Sequence, residues 1–328
     1  MTMNIYIRSA ACIAPTTTLG AADLPPMAKP AEDLPNAGPG GGTLLAKPAG
    51  NRLACLEPDY KGLIDPKALR RMSRIIRMGV ATAMDCLRQA GMAMPDAIVT
   101  GTGYGCLEDT GVFLTNMITR KEEALQPATF IQSTHNTVGA QIALVLQCTG
   151  YNNTFVHRGF SFENAVLDAI LLLQEGEART VLAGGVDELT DASFAILSRF
   201  GSYRHVPAGE GSAFFVLAGQ PTANDYAKLE GMATFYKPES REEIAREIGR
   251  FLQEQAVDPA SIDLVIGDEI LPGIPTQTYK TQCGEYPTST AYAVWLAARL
   301  IKRGACKRIL VYNHYLGIYH AAFLLAAV

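Results

Sequence analysis

The chain has 328 residues, enough for two ordinary domains or one large one with ample core either way. Apolar residues make up 48% and charged residues 18%, the balance of a well-buried globular protein. A net charge of -4 gives no footing for nucleic acid, and no apolar run reaches the roughly 18 residues a bilayer span needs.

The first residues, MTMNIYIRSAACIAP, read as an opening strand. They lack the basic start of a secretory signal, so a cytoplasmic protein is expected. Residues 20–50, rich in Pro, Gly and Ala, are expected to run irregularly over the surface. From Pro66 to Gly91 the spacing predicts one helix, with Pro at its start and Gly at its end. DAIVTGTGYG (96–105) is a buried strand entering a Gly-rich turn, followed by a long mixed segment to Gln132. Next come a helix over Thr137–Gln147, a strand over Thr154–His157, a helix over Phe162–Glu175 and a strand over Thr180–Ala183. SAFFVLAG (212–219) closes this half after the turn AGEG.

The remainder repeats that plan in shorter form. AKLEGMATFYK (227–237) is its first strand and REEIAREIGRFLQEQA (241–256) its first helix. DLVIGDE (263–269) answers DAIVTGTG, and the helix STAYAVWLAARLIKRG (289–304) answers FENAVLDAILLLQEG. KRILVYN (307–313) and the final HAAFLLAAV supply two closing strands. The central helix of each half is apolar nearly all round, which requires burial between two layers. Alternating strands and helices with all-apolar strands imply mixed sheets covered by helices; a single doubly wound sheet is the competing arrangement. The seven cysteines are scattered, with no CxxC or Cys/His cluster, which argues against a zinc site or a disulfide framework. Most are expected to be buried reduced thiols.

Five fragments in order resemble the β-ketoacyl synthases, the thiolase-fold condensing enzymes. GTGYGCLEDT resembles their Gly-rich turn, and Pro127, Asn136 and Gly139 match the segment in which a Pro and then an Asn precede a glycine-bearing helix. In GYNNTFVHRG, Gly150, Asn152 and Gly159 fall at the spacing of the run leading to the catalytic cysteine. VLAGGVDE resembles an Ala-Gly-Gly strand end and PAGEGSAFFVL the Gly-Glu-Gly before a closing strand. The resemblance implies an α/β thiolase-like fold, two similar βαβαβ halves packed as an αβαβα sandwich. Residues 1–220 would form the N-terminal half and 221–328 the C-terminal half.

The same resemblance locates what is missing. A condensing enzyme holds a thiol at a helix N-terminus, where the dipole lowers its pKa and backbone amides bind an oxyanion. Here that position is Gly159. The family's two catalytic histidines fall at Asp268 and Glu285, while its lysine is kept as Lys280. The C-terminal NHYLGIYHAAF replaces the family's glycine-rich loop and keeps only Asn313 and an aromatic, Tyr315; bulky Ile318 and Tyr319 would crowd the site. Thr110, Phe113 and Tyr315 fall where relatives line an acyl pocket. Arg70, Arg71 and Arg74 put positive charge where an acidic acyl carrier protein could dock, although a solvated face is the more usual explanation.

These departures point to a non-condensing partner subunit of the chain-length-factor type, in fatty-acid, polyketide or aryl-polyene-type biosynthesis. It would work without a cofactor, as a heterodimer with an active synthase or as a homodimer, pairing through the strand NTFVH. The alternative is an active acyltransferase or hydrolase using Ser161, or using Asp268 and Glu285 as an acid/base pair. Cys283 and His157 are weaker candidates, each more simply explained by packing. A third reading is a homodimeric carrier-protein or lipid-binding module without chemistry.

Overall fold

A computed structural model describes residues 5–19 and 51–328; the expected surface excursion over 20–50 lies outside the described residues. Ten strands hydrogen-bond in one continuous order built from two copies of the same pattern. The first half contributes β1 (Ile5–Ile13), β2 (Ala97–Gly101), β3 (Tyr151–Phe155), β4 (Thr180–Asp187) and β5 (Gly211–Ala218). The second contributes β6 (Ala227–Tyr236), β7 (Leu264–Ile266), β8 (Thr276–Gln277), β9 (Arg308–Tyr315) and β10 (Tyr319–Ala326). The order β3-β2-β4-β5-β1 meets its mirror β6-β10-β9-β7-β8 where β1 pairs antiparallel with β6, Ile5 opposite Leu229. In each half the two strands entered from helices are parallel and the two closing pairs antiparallel. The repeat expected from sequence therefore holds strand by strand; only the two-residue β8 went unforeseen.

The helices are α1 (Pro66–Leu69), α2 (Arg74–Gln89), α3 (Leu107–Thr119), α4 (Pro127–Gln132), α5 (Thr137–Leu146), α6 (Ser161–Gln174), α7 (Asp191–Arg199), α8 (Arg241–Glu254), α9 (Lys280–Cys283) and α10 (Ser289–Lys302). Three apolar clusters separate five layers. Ile98, Leu182 and Phe214 on the outer face of the first half-sheet pack on Ile75 and Ile76 of α2. Val265, Leu310 and Leu324 on the outer face of the second pack on Ile248, Phe251 and Leu252 of α8. Between the sheets α6 and α10 are sandwiched, and twelve of the fourteen residues of α10 are buried. A helix wetted on no face needs the all-round apolarity read in the sequence. The thiolase-like αβαβα sandwich is thus the observed fold.

Local chemistry explains the rest. In β1 a register shift between Ile7 and Ser9 changes the alternation, so Ile5, Ile7, Ala10 and Cys12 all face the central layer. Ser240 caps α8 by accepting the Glu243 N–H at 3.2 Å, and Ile244, Ile248, Phe251 and Leu252 form its apolar stripe. The single helix expected over 66–91 is two. Asp65 caps α1, Arg70 closes it, and Ser73 is extended before α2 begins at Arg74.

Candidate functional site

The nucleophile elbow of the fold lies between β3 and α6. Its sharp turn is taken by Arg158, whose φ of 48° is in the left-handed region. Gly159 itself has no positive φ, so conformational freedom is not what it supplies. A Cβ built there would lie 2.7 Å from the Cβ atoms of both Tyr315 and Tyr319. The residue is glycine because two tyrosine stems occupy the space a cysteine side chain would need. Tyr315 is fully buried and shares a 3.0 Å hydrogen bond with the Tyr104 hydroxyl. Tyr319 stacks edge-on against Phe160, with centroids 5.0 Å apart. Tyr319 crowds the site as expected from its size.

Ser161 is not poised for attack. Its hydroxyl donates to the Arg158 carbonyl at 2.8 Å and accepts the His157 N–H at 2.8 Å, and the residue has no exposure. It caps the turn. His157 is exposed, turns Nδ1 to the Asn164 amide at 2.9 Å, and packs edge-on against Phe160. Cys283 is fully buried, and burial pushes its thiol far above the usual range.

The carboxylates at the two expected histidine positions each bond to a separate basic side chain. Asp268 meets His314 Nε2 at 3.0 Å, and that hydrogen bond holds its carboxyl below the usual range. Glu285, buried, accepts from Lys280 Nζ at 2.8 Å, while Lys280 also donates to the His314 carbonyl. The two acids are joined through His314 and Lys280 rather than side by side. Among the described residues no hydrogen bond joins the two carboxylates directly. Glu285 is set in place by backbone contact: Gly284, at φ 79°, lies against Gly209, where a Cβ would come within 2.4 Å of the Gly209 Cα.

Other expected residues take structural positions. Arg74 turns inward to Glu210, donating through Nη1 and Nη2 at 2.6 Å each, and to Glu57 through Nε at 2.5 Å. That corrects its reading as a docking residue, because a guanidinium committed to a buried carboxylate is not free for a partner. Arg70 and Arg71 are exposed. Thr110 bonds the Cys106 carbonyl at 2.8 Å and Phe113 packs on Phe130, centroids 5.4 Å apart. Tyr315 packs on Gly159 at the elbow.

Several residues escaped sequence reasoning. Asp187, the strand-end acid, accepts five hydrogen bonds, from Thr102, Gly103, Tyr104 and twice from Thr288, and so ties the Gly-rich turn to the start of α10. Burial pushes it up to about 6 despite those donors. Glu163, fully buried in α6, is pushed by burial to about 7, with the Thr290 hydroxyl opposing. An acid in the first turn of a mostly apolar central helix was the signal available for it. His314 carried none, since its partner Asp268 lies 46 positions away in the chain.

The sequence model described as "Beta-ketoacyl synthase, N-terminal domain" matches residues 56–221, just over half the chain. No curated protein sequence matches it. Solved structures match over the full length. The ishigamide ketosynthase/chain length factor superposes with a TM-score of 0.75 at 15% identity, covering 100% of both chains. AntDE:AntF, a type II PKS acyl-carrier protein in complex with its ketosynthase, gives 0.75 at 13% identity and 100% coverage of both. The ketosynthase ApeO in complex with its chain length factor ApeC, from Xenorhabdus doucetiae, gives 0.69 at 13% identity, covering 99% of this chain and 98% of that one. At these identities the likeness speaks for the fold, and the family follows from the sequence match: the chain belongs to the β-ketoacyl synthase family.

Proposed function

We propose that this chain is a non-condensing, chain-length-factor-like subunit that pairs with an active ketosynthase and docks acyl carrier protein. The observation that carries the proposal is the closed elbow: Gly159 lies under the Tyr315 and Tyr319 stems, leaving no room for a thiol. The carboxylates Asp268 and Glu285, each bound to its own base, support it by supplying no malonyl-activating imidazole. The match to a ketosynthase in complex with its chain length factor is in keeping with such a role. Residues 1–220 and 221–328 act as two halves of one folded unit in this reading.

The partner-facing surface is the β3 edge and the apolar residues around it. Among the described residues no strand pairs with the outer edge of β3, and Ile118, Phe130, Ile131, Leu144 and Val156 are exposed nearby in the chain. An uncovered strand edge flanked by large apolar side chains needs a partner. In the assembly Thr110 and Phe113 would sit at that seam, beside the acyl tunnel, and Arg70 and Arg71 would face the acidic carrier protein. Co-expression with an active synthase tests this. The expected result is a stable heterodimer in which intact-mass measurement finds acyl adducts on the synthase and none on this chain. Purification as a self-sufficient condensing homodimer overturns it.

A further inference from the structure

The two half-sheets part beside β1. Its pairing with β6 ends at Ile7 opposite Ala227, and beyond that point Ala10, Ala11 and Cys12 pair with β5 on one edge only among the described residues. Tyr226, just before β6, closes the gap with the end of α2 and with Trp295 and Arg299 of α10, leaving a cavity of about 270 Å³. Roughly 150 Å³ is enough to admit one benzene ring. None of the lining residues belongs to the elbow, to the β3 face or to the positions of Asp268 and Glu285.

Charge in this cavity is unbalanced. Asp85 is the one carboxylate in the lining, and it is already bonded to Arg88 and, at 2.7 Å, to the Gln89 amide. Gln89 in turn accepts from the Tyr226 hydroxyl at 2.8 Å. Arg299 is left over. It is half-buried, and among the described residues its guanidinium meets neither an acid nor a hydrogen-bond acceptor. Its guanidinium carbon lies 5.9 Å from the Tyr226 ring centroid, at the limit of a useful cation–π contact. Lys302 comes within 5.6 Å of the same centroid and donates to the Asn224 carbonyl, so it adds positive charge and no acid. Asp225, next in the chain, turns its carboxylate to Thr222. An arginine drawn out of water usually carries an anionic partner, because its lost hydration is otherwise not replaced. Nε is closed off inside the protein, so such a partner reaches the terminal nitrogens Nη1 and Nη2, which are not.

We propose that this cavity binds a small planar monocarboxylate. Its two oxygens accept from Arg299 Nη1 and Nη2, the fork geometry that guanidinium and carboxylate share, and its flat body lies between Tyr226 and the small side chains of Ala10 and Ala11. A cation would meet two guanidiniums and a carboxylate already bonded, and a neutral molecule would leave the fork without a counter-charge. One surplus positive charge in the lining calls for one negative charge in the ligand. The site stands whether or not the chain pairs with a synthase.

Benzoate, benzamide and benzamidinium share one planar shape and differ in charge, and they test it on the full chain by calorimetry at fixed ionic strength. Benzoate binds, and the amide and the amidinium bind more weakly by roughly tenfold or more. Arg299→Met keeps the aliphatic stem, removes the fork and weakens benzoate by a similar factor. Because it deletes an unpaired charge, it leaves the melting temperature unchanged or raised, which the loss of a purely structural arginine would not do. Lys302→Met removes a neighbouring charge outside the cavity and leaves benzoate affinity within about twofold, since a solvated charge is screened. The proposal is overturned if benzoate does not bind the folded wild type, or if benzamide or benzamidinium binds as well. It is also overturned if Arg299→Met binds benzoate undiminished, or if Lys302→Met costs as much as Arg299→Met. The wild-type series decides by itself if a variant does not fold.

Discussion

Gly159 decides the chemistry through the space around it rather than through its backbone. Because the tyrosines intrude through their Cβ atoms, even alanine at 315 or 319 would leave the clash in place. Gly159→Cys is therefore expected to destabilise the protein by about 1–3 kcal/mol, the usual cost of overpacking, and to gain no acyl-transfer activity. Thermal melts and acyl-adduct mass measurement check both parts. The arginines divide in the same residue-by-residue way. Arg74→Met strands the buried Glu210 and should cost about 3 kcal/mol, the low end for a broken buried pair, because the Cys55 and Leu189 amides still hold the carboxylate. Arg70→Glu and Arg71→Glu should leave stability within about 0.5 kcal/mol, since both side chains are exposed, while weakening carrier-protein binding. A chemical-denaturation series with a carrier-protein binding assay separates the two classes.

At the scale of elements, the strands and central helices could be read from the chain because their burial is written into it as unbroken apolarity. Positions such as Val181, Phe214 and Leu296 have no wet neighbour to break the pattern. What the pattern missed were breaks set by backbone chemistry. The stop at Arg70 and the extended Ser73 divide one apparent helix without a glycine or an interior proline to announce it. The exposed face around β3 is an element-level property too. Leu144 is 68% exposed on α5, so Leu144→Asp should leave the monomer's fold intact. If that face is the partner surface, the substitution should weaken association by about 2 kcal/mol or more, seen as a shift to monomer in light scattering.

For the whole molecule, three acids, the buried Asp187 and Glu163 and the half-buried Glu188, lead the pH response above pH 4. Burial raises Asp187 to about 6 and Glu163 and Glu188 to about 7, all above their unfolded values. A raised folded pKa means the native state binds more protons than the unfolded chain, so this contribution is full below pH 4 and is lost as pH rises through 6 to 7. Asp96, Asp263 and Asp268 run the other way, with lowered values whose contribution is lost as pH falls below 4. His320, lowered by burial to about 4, loses its contribution as pH falls below 6.5, but the three acids outweigh it, so stability should fall as pH rises from about 5 to 7. Glu163→Gln should remove part of the decline toward pH 8, by about 3 kcal/mol at most for its share. Denaturation midpoints of both proteins from pH 4 to 8 show whether the curve flattens. The sequence by itself determined the repeated order of elements and the buried central helices, and it put Gly159, Asp268 and Glu285 where the family resemblance expects a cysteine and two histidines, because periodicity and motif spacing are local and linear. Only the tertiary structure decided that the elbow is closed, that Asp268 pairs with His314 and Glu285 with Lys280, and that Arg74 turns inward. Each of those depends on side chains distant in the chain meeting at contact distance, and linear spacing does not encode that.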